Sequence, residues 1–123
     1  MMINGGCLVG VWGTGILDDD LSLDVIAEFE EALANGQSVS MATNEVLVSF
    51  NDSLNDEQDR VVIYLSIALI QCKMSCLQEE IATRALDIIE SGEGLVFWDP
   101  ETSEYSKRKR ALEELKSLIK NHI

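Results

Sequence analysis

Apolar residues recur at helical spacing along most of this chain. Val25, Ile26, Phe29 and Leu33 form one 3.6-residue stripe, with Asp24, Glu28 and Glu31 on the opposite side. This predicts a helix that starts near Asp18-Asp19-Asp20, where carboxylates suit the orphan N–H groups and the positive dipole end, and stops at Asn35-Gly36. The segment at about 39–51 is ambiguous. Val39, Ala42, Val46, Leu47 and Phe50 fit a helix, whereas Glu45-Val46-Leu47-Val48-Ser49-Phe50 alone passes for a strand. Helix is favoured because the spacing holds over three turns.

Asn55-Asp56-Glu57-Gln58 then signals a helix start, with Asn55 as N-cap and Gln58 three residues on. The helix that follows, to about Lys73, is apolar on nearly every face and is expected at the centre. Ser75-Cys76-Leu77-Gln78 has the form of a second capping box, so a break is placed there. The next helix turns Ile81, Ala85, Ile88 and Ile89 inward and ends at Ser91-Gly92. After the connector Leu95-Val96-Phe97-Trp98, a last helix starts at Asp99-Pro100 or Ser103 and buries Tyr105, Leu112, Leu115, Leu118 and Ile119.

The expected fold is therefore all-α, with about five helices packed around the one at 56–73. Residues 1–123 have the length of a single domain: a glycine-rich, irregular segment at 1–17 and a helical body at 18–123.

Charge changes this picture from a question of fold to one of partners. The chain carries 22 acids, nine bases and a net charge of −13. Twelve of the acids precede Arg60, which is the first base; the other ten share residues 60–123 with all nine bases. A one-sign field on one part of a small protein disfavours nucleic acid and anionic lipid and favours a basic partner. Asp18–Asp20, Asp56 and Glu57 are partly accounted for by helix starts. Asp24, Glu28 and Glu31 have no such local duty.

The longest apolar stretch, Val61 to Cys72, is too short to span a bilayer and reads as core. With no secretory signal visible, the expected place is the cytoplasm, with Cys7, Cys72 and Cys76 as reduced thiols. Cys72 and Cys76 stand at i, i+4. Without a histidine pair they read as buried structure, not as metal ligands.

Catalytic constellations are thin. His122 is the only histidine, so an active site would have to rest on carboxylates, hydroxyls and thiols. Asp18–Asp20 with Asp24 lacks the alternating ligands of a calcium loop and reads as helix capping. Trp12-Gly13-Thr14-Gly15 is followed by three aspartates and no Lys, which excludes a phosphate cradle. Phe97 and Trp98 read as packing volume before interface anchors. Lys107-Arg108-Lys109-Arg110 is expected to pair with the protein's own acids. No enzyme activity, cofactor or metal is expected.

Gly10 through Asp24 resembles the N-terminal signature of a bacterial family of small proteins of unknown function. Its members open with W-G-x-G, an aromatic, then an Asp/Asn-rich N-cap and an amphipathic helix. Trp12, Gly13, Gly15, Asp18, Asp20 and Asp24 match. Leu17 and Val25 depart, where that pattern tends to Phe and Trp, and the chain has extra residues before Gly10. The resemblance carries over no reaction and no catalytic residue. In size, acidity and lack of catalytic residues the chain also resembles immunity proteins of the contact-dependent inhibition or polymorphic-toxin type. That resemblance implies a basic toxin domain, such as an RNase or DNase, as the protein bound and occluded. The residues expected to meet its lysines and arginines are Asp20, Asp24, Glu28, Glu31, Asp52, Asp56 and Asp59. Two other classes remain open: an adaptor for a non-toxin protein, and a carboxylate- or metal-dependent enzyme.

Overall fold

The structure, a computed structural model, describes residues 20–96 and 98–122. The glycine-rich segment, Cys7, Asp18, Asp19, the W-G-x-G stretch and Phe97 lie outside the described residues. Among those described the protein is all-α. Its helices are α1 (Asp20–Ala34), α2 (Val39–Ser49), α3 (Glu57–Lys73), α4 (Glu79–Ser91) and α5 (Ser103–His122). Short 3-10 turns at Ser53–Asn55 and Glu93–Leu95 join α2 to α3 and α4 towards α5. The segment at 39–51 is a helix, as its spacing predicts.

The core gathers around α3, which packs against α1, α4 and α5. From Val61 to Cys72 every residue of α3 except Tyr64 is buried. Onto it α1 sets Val25 and Phe29, α4 sets Ile81, Ala85 and Ile88, and α5 sets Leu112, Leu115 and Ile119. Ile26, Leu33, Ile89 and Leu118, expected in the stripes, are only half-buried at the edges.

Helix ends refine the sequence reading. Gly36 (φ +94°) ends α1: its N–H bonds the Leu33 carbonyl and the next N–H, of Gln37, bonds that of Ala32. Ser38 caps α2, accepting from Met41 N at 3.2 Å. The cap of α3 is Asp56, not Asn55; its Oδ1 accepts from Asp59 N at 3.0 Å. The 3-10 turn at Ser53–Asn55 takes up Asn55 and moves the start one residue on.

The second capping box is also corrected. Ser75 has φ +56° and terminates α3, with Cys76 N bonded to Gln71 O at 2.8 Å and Ser75 N to Cys72 O at 3.1 Å. The N-cap position of α4 is Gln78, whose own side chain makes no cap bond. Instead Gln71, fully buried in α3, reaches across. Its Oε1 accepts from Gln78 N at 3.0 Å, and its Nε2 donates to Thr43 Oγ1 and Gln78 Oε1, each at 2.9 Å. A polar knot thus joins α2, the end of α3 and the start of α4. A second buried polar contact runs from the Ser66 hydroxyl to that of Ser22 at 2.7 Å and ties the first turn of α1 to the middle of α3.

Ser103 starts α5, with Thr102 Oγ1 accepting from Tyr105 N at 3.2 Å; Asp99 heads the turn before it. The basic run departs from expectation. Arg108 is buried, its guanidinium 5.4 Å from the ring centre of half-buried Trp98, so that this pair fills space between the connector and α5. Lys107, Lys109 and Arg110 are exposed and make no ion pair among the described residues. The pairing with internal acids occurs further along α5, where Lys116 and Lys120 reach Glu90 at 3.4 and 3.8 Å.

Candidate partner-binding surface

The acids expected to meet a partner are spread over α1 and the α2–α3 connection. On α1 the buried side is set by Ser22, Val25, Phe29 and Ala32. Helical geometry then turns Asp20, Asp24 and Glu31 to solvent, and all three are exposed. Glu30, which the opposite-face reading left out, is exposed on the same side. Leu23, 49% exposed, sits among them. From Asp20 to Glu31 this face runs about 16 Å at the rise of an α-helix.

Glu28 differs from the expectation of an acid with no local duty. It is half-buried at the margin of the face, and its carboxylate accepts a hydrogen bond from the Ser49 hydroxyl at the end of α2. That bond has a structural consequence. It brings the acidic side of α1 against the point where the chain leaves α2, three residues before exposed Asp52. Glu45 makes a parallel link, accepting from Gln37 Nε2 at 2.8 Å.

Asp56 is exposed but engaged as the α3 cap, and Asp59 is half-buried in the first turn of that helix. Arg60 folds back on the same connection, its Nη1 donating to Leu54 O at 3.3 Å. The last acids of the series therefore share their neighbourhood with the first base. Asp20, Asp24, Glu30, Glu31 and Asp52 make no ion pair among the described residues, so their field points outward.

The outer side of α2 carries two residues that the sequence reading passed over. Met41 is 61% exposed and Val48 66%. The signal was present: Val48 is the apolar residue that made Glu45–Phe50 look like a strand, and no helical stripe that buries Val46 can also bury it. Beyond α2, a groove towards α4 has Tyr64 at its floor and Arg84 stacked over that ring at 4.9 Å. A cavity of about 360 Å³ continues past this pair to Arg60 and Asp87.

Cys72 is buried and Cys76 half-buried, both free. Because Ser75 breaks the helix between them, they are not the one-turn pair that i, i+4 spacing implied. Burial, with the nearby charge of Cys76 adding to it, pushes the Cys72 thiol up from 9.0 to about 11; burial raises Cys76 as well. His122 is exposed in the last turn of α5. Among the described residues no group of three or more His, Cys, Asp or Glu could hold a metal, and no helix is long and apolar enough to cross a membrane.

The chain belongs to a family defined by a domain of unknown function (DUF4259), whose model matches residues 10–122. No curated protein and no solved structure matches it.

Proposed function

We propose that this DUF4259 member is an immunity protein that binds a basic toxin domain, an RNase or DNase, and occludes its active site. The observation that carries the reading is the outward acidic face of α1: Asp20, Asp24, Glu30 and Glu31, exposed and without ion pairs among the described residues. It lies in the half of the chain that has no base before Arg60. Lysines and arginines that grip a nucleic-acid backbone would find in this face a substitute for phosphates. Complementary fields of this kind raise association rates to about 10⁸–10⁹ M⁻¹s⁻¹ at low salt. Glu28 and Asp52 extend the face towards α2. Asp56 and Asp59 add charge at its margin while serving α3. The mechanism is steric and electrostatic occlusion in the cytoplasm, with no chemical step.

An adaptor would instead dock through aromatic anchors, and Trp98 is half-buried against Arg108. The test is growth protection. Cells expressing the toxin domain encoded beside this chain's gene should survive when the chain is co-expressed, and die when Asp20, Asp24, Glu30 and Glu31 are all changed to Asn or Gln. Failure of the wild-type chain to protect, or the lack of any toxin gene beside its own, would refute the reading.

A further inference from the structure

We infer that the outer side of α2 is the apolar centre of the docking surface, and that the partner seats an apolar side chain across Met41 and Val48 while its basic residues lie over the flanking acids. This deepens the proposed function and rests on it.

A helix in a small domain has one stripe to bury. In α2 that stripe is Ala42, Thr43 and Val46. Met41 and Val48 stand on the other side, two turns apart at i and i+7, so they lie in line about 10 Å apart along the axis. They are the two most exposed of the large hydrophobic residues on the helices, and they line, with Asn44 and Glu45, one shallow depression. A lone exposed apolar residue needs no explanation, but two aligned on the outward face of one helix make a patch that water covers at a cost.

Charge decides the occupant. On the α1 side of the patch are Glu45 and, through the Ser49 hydrogen bond, Glu28, with the outward acids of α1 beyond and Asp52 past the end of α2. A second copy of this chain would bring the same acids against them. A basic domain with an apolar side chain among its lysines and arginines fits both features. The arrangement is that of an interface with an apolar centre and a polar margin, where truncating a central anchor costs far more than removing a marginal charge.

The experiment measures Kd and its salt dependence by titration calorimetry, with the catalytically inactivated toxin domain encoded beside this chain's gene as probe. Wild type is compared with a Met41→Ser/Val48→Ser double variant and with an Asp24→Asn/Glu31→Gln variant. Because all four side chains are exposed, each variant should keep the wild-type urea midpoint. The apolar pair should weaken binding by about tenfold or more and leave the salt slope unchanged, whereas the acid pair should flatten the slope. If the acid variant flattens the slope but the apolar variant binds within about threefold of wild type, the docking centre is wrong while the proposed function stands. If the wild-type chain does not bind the probe, both fall.

Discussion

Replacing Gln71 by Met tests how the protein joins α2, α3 and α4. The carboxamide is fully buried and makes three hydrogen bonds, to Thr43 Oγ1, Gln78 Oε1 and Gln78 N. Met has the same unbranched reach, so no cavity is left and the loss isolates the polar contacts. The group harmed most is the Gln78 backbone N–H at the start of α4, which loses its acceptor; Gln78 is half-buried, so its loss lies near the low end of the range of about 1–3 kcal/mol for an orphaned buried donor. The two bonds from Nε2 are worth about 0.5–1.5 kcal/mol each. Removing a buried amide returns about 1–2 kcal/mol of desolvation. Central values leave a loss of about 1–2 kcal/mol. With m about 2 kcal/mol/M, the urea midpoint should fall by about 0.5–1 M. Hydrogen exchange at the Gln78 amide should accelerate with it. A double-mutant cycle with Thr43→Val should show a coupling of about 0.5–3 kcal/mol, because Thr43 shares the knot. A Gln71→Met variant as stable as wild type, with unchanged Gln78 exchange, would mean that the Gln71 knot does not hold α2, α3 and α4 together.

Asp56→Ala should cost about 1 kcal/mol in a urea melt by uncapping α3, whereas Asp56→Asn should keep the cap and lose only the charge. Arg108→Met should destabilise by about 1–2 kcal/mol and alter Trp98 fluorescence, since the Trp98 ring loses the guanidinium stacked on it. At pH 8 the Cys72 thiol should alkylate slowly in the folded protein and rapidly in urea. Its folded value is raised, from 9.0 to about 11, so burial favours the neutral thiol. That contribution is complete below pH 9 and is lost as pH rises through about 11; Cys72→Ser should flatten this alkaline decline in stability.

The helices were legible because each carries a local stripe: Val25 and Phe29, Ile81 with Ala85 and Ile88, Leu112 with Leu115 and Ile119. The all-apolar helix at 57–73 also read as central, since a helix without a polar side has nowhere else to go. The buried polar residues were not legible. Ser22 meets Ser66, and Gln71 meets Thr43, across 44 and 28 residues of sequence, so no local pattern announces them. Ser75 and Gln78 suggested a capping box by spacing alone, yet a positive φ at Ser75 and the reach of Gln71 decided that boundary. On α1, the apolar stripe already turned Asp24 and Glu31 outward, and both are exposed. Glu28 was misread because its partner, Ser49, belongs to another helix. Arg108 looked like a surface charge among Lys107, Lys109 and Arg110, yet it is buried and lies over the Trp98 ring.

On the proposed function, the acids ahead of Arg60 meet a basic partner. Stopped-flow association with the inactivated toxin domain, from low to high salt, measures that encounter. The association rate should fall steeply with ionic strength for the wild-type chain and far less for an Asp20→Asn/Asp24→Asn/Glu30→Gln/Glu31→Gln variant of equal stability. A wild-type rate that does not change with salt, or an identical salt dependence in the variant, would contradict it.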